Sequence, residues 1–316
     1  MKRYFIIGLI FSFVVLALVV IFNYRYESIA LLPDTGASWY YWKLPERDWV
    51  VMLIVWGLYA SHQLGAWILL AKQALAPADK KKNYTKWILI YNGMFILIHF
   101  LQSQIFYDGL AQDVPVWSSQ GSVIVMLVLV LIIENKRRGL FLGLKVPGFD
   151  DITKFIRKYH GLFITWAVIY TFWYHPMVST TAHLVGFLYL FLLMMQMSFG
   201  YTKIHTNKYW TFILEVMVLI HGTMVAVYQA NNMWPMFAFG FAFIAVFTQI
   251  YGVGLSKKWI KIIQILYLVA VIIVFGGFTG HRTIGEIHQI TWIPIIEYGL
   301  VFVLLFVGNG VLKLKK

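Results

Sequence analysis

The sequence predicts an all-α fold: a polytopic bundle of about ten transmembrane helices. Three observations lead there. Of the 316 residues, 60% are hydrophobic and only 12% carry a charge, about half the charged share of an ordinary soluble domain. Apolar runs of near 20 residues recur along the whole chain, and a helix of that length crosses the hydrocarbon core. The basic residues also alternate in register with those runs. With the N-terminus inside, cytoplasmic segments hold 22 of the 26 Lys and Arg residues, and only Arg25, Lys43, Arg47 and Arg282 fall outside. That bias sets membrane orientation. The expected setting is therefore the plasma membrane, with both termini cytoplasmic and the lipid bilayer as the main partner. The net charge of +13 sits in short loops rather than in a stripe, so no nucleic-acid partner is expected.

Taken in order, the spans are expected over residues 4–23, 49–71, 86–107, 121–134, 157–175, 178–200, 209–229, 233–252, 259–277 and 290–312. The first follows Met1-Lys2-Arg3 and resembles a signal peptide, but no small-residue cleavage site follows it, so it reads as a retained helix. The fourth is short as written and should borrow Trp117 to Gln120 or run through Glu134. The loop between the first two spans carries Ser38-Trp39-Tyr40-Tyr41-Trp42, an interfacial aromatic belt or a lid. Pro147-Gly148 interrupts the loop before the fifth span, and Asp150 and Asp151 suit the start of its helix. There is no Gly-rich phosphate loop, so NADH or flavin would have to sit on a partner chain. With no cysteine in the chain, disulfides, iron–sulfur clusters and thiolate metal sites are excluded.

Two segments look alike. His62 is followed by Gly65, as His183 is by Gly186, and Leu97-Ile98-His99 matches Leu219-Ile220-His221. Lys86 precedes His99 by the same 13 positions that separate Lys208 from His221. The offset of 121 to 122 positions suggests two four-helix halves of like orientation, 1–134 and 157–256. A cytoplasmic connector, 135–156, would join them, and two added helices would follow in 257–316. In an antiparallel hairpin, residues equidistant from the turn share a depth, so His62 would pair with His99 and His183 with His221. Polar groups in hydrocarbon must find partners. Neutral imidazole ligates haem iron or copper and also makes plain interhelical hydrogen bonds. Hairpin neighbours lie only about 8–10 Å apart, which is close for two ligands of one haem and suits a bare metal ion better.

His160 and His175 stand near opposite ends of the fifth span, about 22 Å apart along the axis and about 60° apart in direction. Arg157-Lys158-Tyr159-His160-Gly161-Leu162, followed by His175-Pro176, resembles the ferric-reductase-like transmembrane family over residues 136–227. In that family, histidines on two helices hold b-type haem and electrons cross the bilayer. The resemblance implies cofactor binding by His160 and His175, in addition to His62, His99, His183 and His221, which the matched spacing singles out. This chain departs from the pattern in having His221 alone on the seventh span. Near the last span, His281, Glu286 and His288 have the residue types of a zinc or copper site or of a solvated loop. Glu215 and Glu297 are intramembrane carboxylates, candidates for a proton relay or for plain pairing; a kink at Pro294 would free a carbonyl beside Glu297.

The leading expectation is a membrane oxidoreductase with haem b, exchanging electrons with quinone, a partner redox protein or an outer acceptor. Copper or zinc could replace the haem. The alternatives are a transporter or metal-handling protein with a histidine-lined path, and a non-catalytic assembly or immunity protein.

Overall fold

The computed structural model describes residues 1–23, 29–33, 43–229, 232–280 and 282–314. Ser38 to Trp42 and His281 lie outside the described residues. Among the described residues ten α-helices run in chain order: α1 Lys2–Ile21, α2 Trp49–Leu75, α3 Lys81–Ile105, α4 Val116–Arg138, α5 Asp150–Tyr174, α6 Thr181–Ser198, α7 Lys208–Tyr228, α8 Trp234–Phe247, α9 Lys257–Phe275 and α10 Trp292–Leu314. No strand is found among the described residues. The protein is thus an all-helical, multi-pass membrane protein. Among the described residues, nine segments are long and apolar enough to cross a bilayer, with α8 extended by the 3-10 turn Gln249–Gly252 and α10 preceded by the 3-10 segment Ile284–Thr291. The tenth helix, α5, does not reach the same apolarity. Its first turns carry Asp150, Asp151, Lys154, Arg157 and Lys158, which leaves a short apolar remainder.

Local chemistry explains the helix ends. Asp48 Oδ1 accepts the Val50 N–H at 2.8 Å and caps α2, and the Thr180 hydroxyl does the same for α6. The fourth span reaches through Trp117 at one end and Arg138 at the other. Gly139 stops it with φ +78, a left-handed conformation in which a β-carbon would fall 2.4 Å from the Gly143 backbone. Pro294 does not kink a helix. It lies in the first turn of α10, where its missing N–H has no intrahelical partner to lose, so the expected freed carbonyl beside Glu297 does not arise.

The chain divides into two compact units. The first comprises Met1–Val123 and Gly161–Asn207, where α1 packs on α3 and α6, and α2 and α6 pack on α3. Its centre is aromatic, with Phe172, Trp173 and Phe191 almost fully buried. The second comprises Ile124–His160 and Lys208–Lys316, where α8 packs against α7, α9 and α10. Its main core joins Val128, Leu131 and Ile132 of α4 to Ile152, Ile244, Val301 and Leu305. The boundaries fall inside α4 and α5. His62 and His99 share the first unit, whereas His183 belongs to the first and His221 to the second. The similarity of the two histidine segments remains a sequence pattern.

Candidate functional site

In the first unit, α2, α3 and α5 bring His62 and His99 against the same two side chains, Phe172 and Trp173. Neither ring is exposed. The Trp173 indole N–H donates to His62 Nδ1 at 3.1 Å, which leaves the proton on Nε2, 3.1 Å from Asn92 Oδ1. Asn92 Nδ2 donates on to the Ser198 hydroxyl at 3.0 Å, and that hydroxyl to Met194 O at 2.6 Å. His99 Nδ1 lies 2.8 Å from Gln102 Oε1, and its Nε2 lies 2.8 Å from the His175 carbonyl oxygen. Gln102 turns its amide N–H toward Phe106 O and Asp108 O. All four ring nitrogens are engaged with protein groups. An axial ligand must aim an unshared lone pair at the metal, so His62 and His99 do not fit haem or copper in this arrangement.

His183 lies beside His175, with ring centroids 5.0 Å apart, and its Nδ1 is 2.7 Å from the Thr180 hydroxyl. His160 Nδ1 donates to Arg157 O at 2.7 Å, and His205 Nδ1 to Gln196 O at 3.0 Å. No group of three or more metal-ligating side chains forms among the described residues. Glu286 completes a capping box with Thr283 and pairs with Arg282 at 2.5 Å, while His288 donates to Gly285 O and packs on Trp292. Glu286 therefore has a structural task already.

The second unit holds a different kind of centre. Glu215 of α7 and Glu297 of α10 both line one cavity, together with Arg138 at the end of α4 and Gln249 of the turn after α8. Leu127, Val130, Leu131, Val218, Phe241 and Ile244 make its apolar wall. Arg138 Nη1 donates to Glu215 Oε2 in a close ion pair. The two carboxyls are 6% and 3% exposed, and the Arg138 side chain is 0% exposed. Arg138 Nε and Nη2, Glu215 Oε1 and Gln249 Oε1 are buried with no hydrogen-bond partner.

The local fold explains why Arg138 turns inward. Gly139 reverses the chain, Leu142 N–H donates to Phe247 O at 2.7 Å, and the Thr248 hydroxyl donates to Leu140 O at 2.7 Å. The turn is thereby pinned to the end of α8. Thr248 also meets the Tyr298 hydroxyl at 2.5 Å, which fixes α10 at the residue after Glu297. The neighbouring bases point elsewhere: Arg137 pairs with Glu134 and donates to Gly252 O at 2.7 Å, and Lys136 pairs with Asp150 at 2.6 Å. Sequence reading separates Glu215 and Glu297 from other residues but assigns Arg138 to the topological basic run. Only the glycine that follows it hints at a difference. No family model, curated protein or solved structure matches this chain.

Proposed function

We propose that the protein handles protons in the membrane, as a relay or a proton-coupled transporter, through the buried centre of Arg138, Glu215 and Glu297. The observation that carries this reading is one guanidinium and two carboxyls, all nearly unexposed, around a common cavity in the second unit. Intramembrane ionisable groups are costly and typically mark ion or proton pathways. Stability alone does not account for them. Replacing a buried ion pair with well-packed apolar residues is often neutral or stabilising by about 1–4 kcal/mol, and here four polar atoms are left unpartnered as well. The path is carried by carboxylates rather than by a histidine row, because His62 and His99 are already committed to protein hydrogen bonds.

The chemistry assigned to each residue follows from its contacts. Arg138 supplies a fixed positive charge that cannot lose its proton. Glu215, bonded to it, is the carboxylate that this charge holds in place. Glu297 feels the same charge and closes the cavity from α10. The test is proton flux into liposomes containing the purified protein and an internal pH dye, under an imposed membrane potential. Wild type should acidify the lumen. Glu297→Gln keeps the Arg138–Glu215 pair and should reduce the rate at least about tenfold, equivalent to about 1.4 kcal/mol on the barrier. An unchanged rate in folded Glu297→Gln would overturn the reading.

A further inference from the structure

The composition of the cavity points to how many protons it holds and on what. Charge comes first. The groups that line it or act on it are Arg138, Glu215, Glu297 and, on the same helices, Glu134, Arg137 and Tyr298. Glu134 and Arg137 neutralise each other in their own pair. That leaves one guanidinium against two carboxyls, all nearly unexposed. Three full charges there would leave a net charge uncompensated at low dielectric, a much larger penalty than protonating one carboxyl. The neutral set has one proton on two carboxyls.

Geometry then says which carboxyl. The hydrogen bond from Arg138 Nη1 ends on Glu215 Oε2, and a pair of this kind is strongest when donor and acceptor are both ionised. Glu297 has no such donor. It lies on α10 beside Tyr298, whose hydroxyl is taken by Thr248.

Size sets the ligand. The cavity is ≈ 10 Å³, which is room for one water molecule and for no larger solute. That water would have the polar partners it requires in Glu215 Oε1, Gln249 Oε1 and an Arg138 N–H, all buried and otherwise unpartnered.

We infer that this cavity is a one-proton, one-water site: Glu215 stands as the carboxylate of Arg138, Glu297 carries the exchangeable proton, and a single water beside Gln249 bridges them. Transfer is balanced and moves no electrons. The Glu297 O–H bond breaks as the water takes that proton and delivers one of its own to Glu215 Oε1; Glu297 is left as the carboxylate, and Arg138 stays cationic throughout. The inference rests on the proposed proton handling for its purpose, but not for its test.

The test is infrared spectroscopy of the purified protein at neutral pH, in the carbonyl-stretch region of protonated carboxyl groups. Asp108→Asn serves as background, removing the other buried acid. Wild type should show one protonated-carboxyl band. Glu297→Gln should abolish it, and the double change Arg138→Gln with Glu215→Gln, which removes the cation and its carboxylate together, should leave the band in place. Gln249→Leu removes a water partner but no proton, so it should shift the band without reducing its area. A band that survives Glu297→Gln, or disappears in the double variant, would overturn the assignment; an unshifted band in Gln249→Leu would overturn the water bridge. Should the band follow Glu297 while liposomes show no flux, the proton site stands and the transport reading falls. The reverse result separates them equally well.

Discussion

A β-carbon at Gly65 would fall 1.9 Å from the Tyr91 hydroxyl, which is held against α2 by its 2.7 Å bond to Ser61 O. This explains the glycine after His62 without any ligand: α2 and α3 pack so closely that only a hydrogen fits. Gly65→Ala should therefore destabilise the protein by about 1–3 kcal/mol, the usual cost of overpacking. Gly57→Ala, on the same helix with open space around it, should be neutral or slightly stabilising, because alanine is the better helix former. Thermal unfolding in detergent compares the two. The buried histidines give a second residue-scale expectation. His62 and His99 each make two hydrogen bonds to protein, and an interhelical hydrogen bond in a membrane contributes about 0.6 kcal/mol on average. His62→Ala and His99→Ala should lower stability and leave the visible absorption of the purified protein unchanged. A Soret band present in wild type and lost in either variant would show that the rings hold haem after all.

At the scale of elements, the segment between α3 and α4 is fastened to the start of α2 by charge. Arg47 Nη1 lies 3.2 Å from Asp108 Oδ1 and its Nη2 donates to Asp113 Oδ2 at 2.9 Å, an oxygen that also accepts the Trp56 N–H at 2.8 Å. Leu44 N–H donates to Gln112 Oε1 at 3.0 Å. Asp108 is only 1% exposed. Burial pushes its carboxyl up to about 6, and this outweighs the opposing pull of Arg47 and of the Gly109 N–H. Because the folded value is raised, ionising Asp108 disfavours the folded state. Its contribution to stability should rise as pH falls through about 6 and level off near the ordinary value of 3.8. Asp108→Asn should remove that part of the pH dependence while keeping a hydrogen-bonding side chain. Unfolding midpoints of wild type and variant across this window check it; parallel curves would show that Asp108 does not titrate there.

At the scale of the whole molecule, the ten helices and the lysine distribution set an expected topology that is simple to test, because the chain has no cysteine. Single cysteines at Lys81 and Lys257 should react with a membrane-impermeant reagent from one side, and cysteines at Asp113 and Thr283 from the other. Two neighbouring sites reacting from the same side would remove a span between them. The least apolar helix, α5, is the place where such a failure would be most informative. The two compact units also divide the chemistry. The first buries neutral hydrogen-bond networks in an aromatic core, and the second buries the ion pair and its cavity. The proposed proton handling therefore rests on the second.

The sequence by itself determined the fold class, the helix count among the described residues and the approximate place of each helix, and the presence of two carboxyls within spans. These depend on run length, hydropathy and local capping, all of which are properties of contiguous residues. It also marked His62 and His99 as needing partners. Tertiary structure alone decided what those partners are. Trp173 and Asn92 reach His62 from other helices, and the carbonyl that meets His99 belongs to His175, far along the chain. The same holds for Arg138. In sequence it is one of three consecutive bases, and only the reversal at Gly139 and the packing of α7, α8 and α10 turn it from a topological charge into the counter-ion of Glu215. Periodicity specifies which residues a helix carries and roughly which way they face. Which buried groups meet is set by how helices distant in sequence pack, and that is where the candidate site is made.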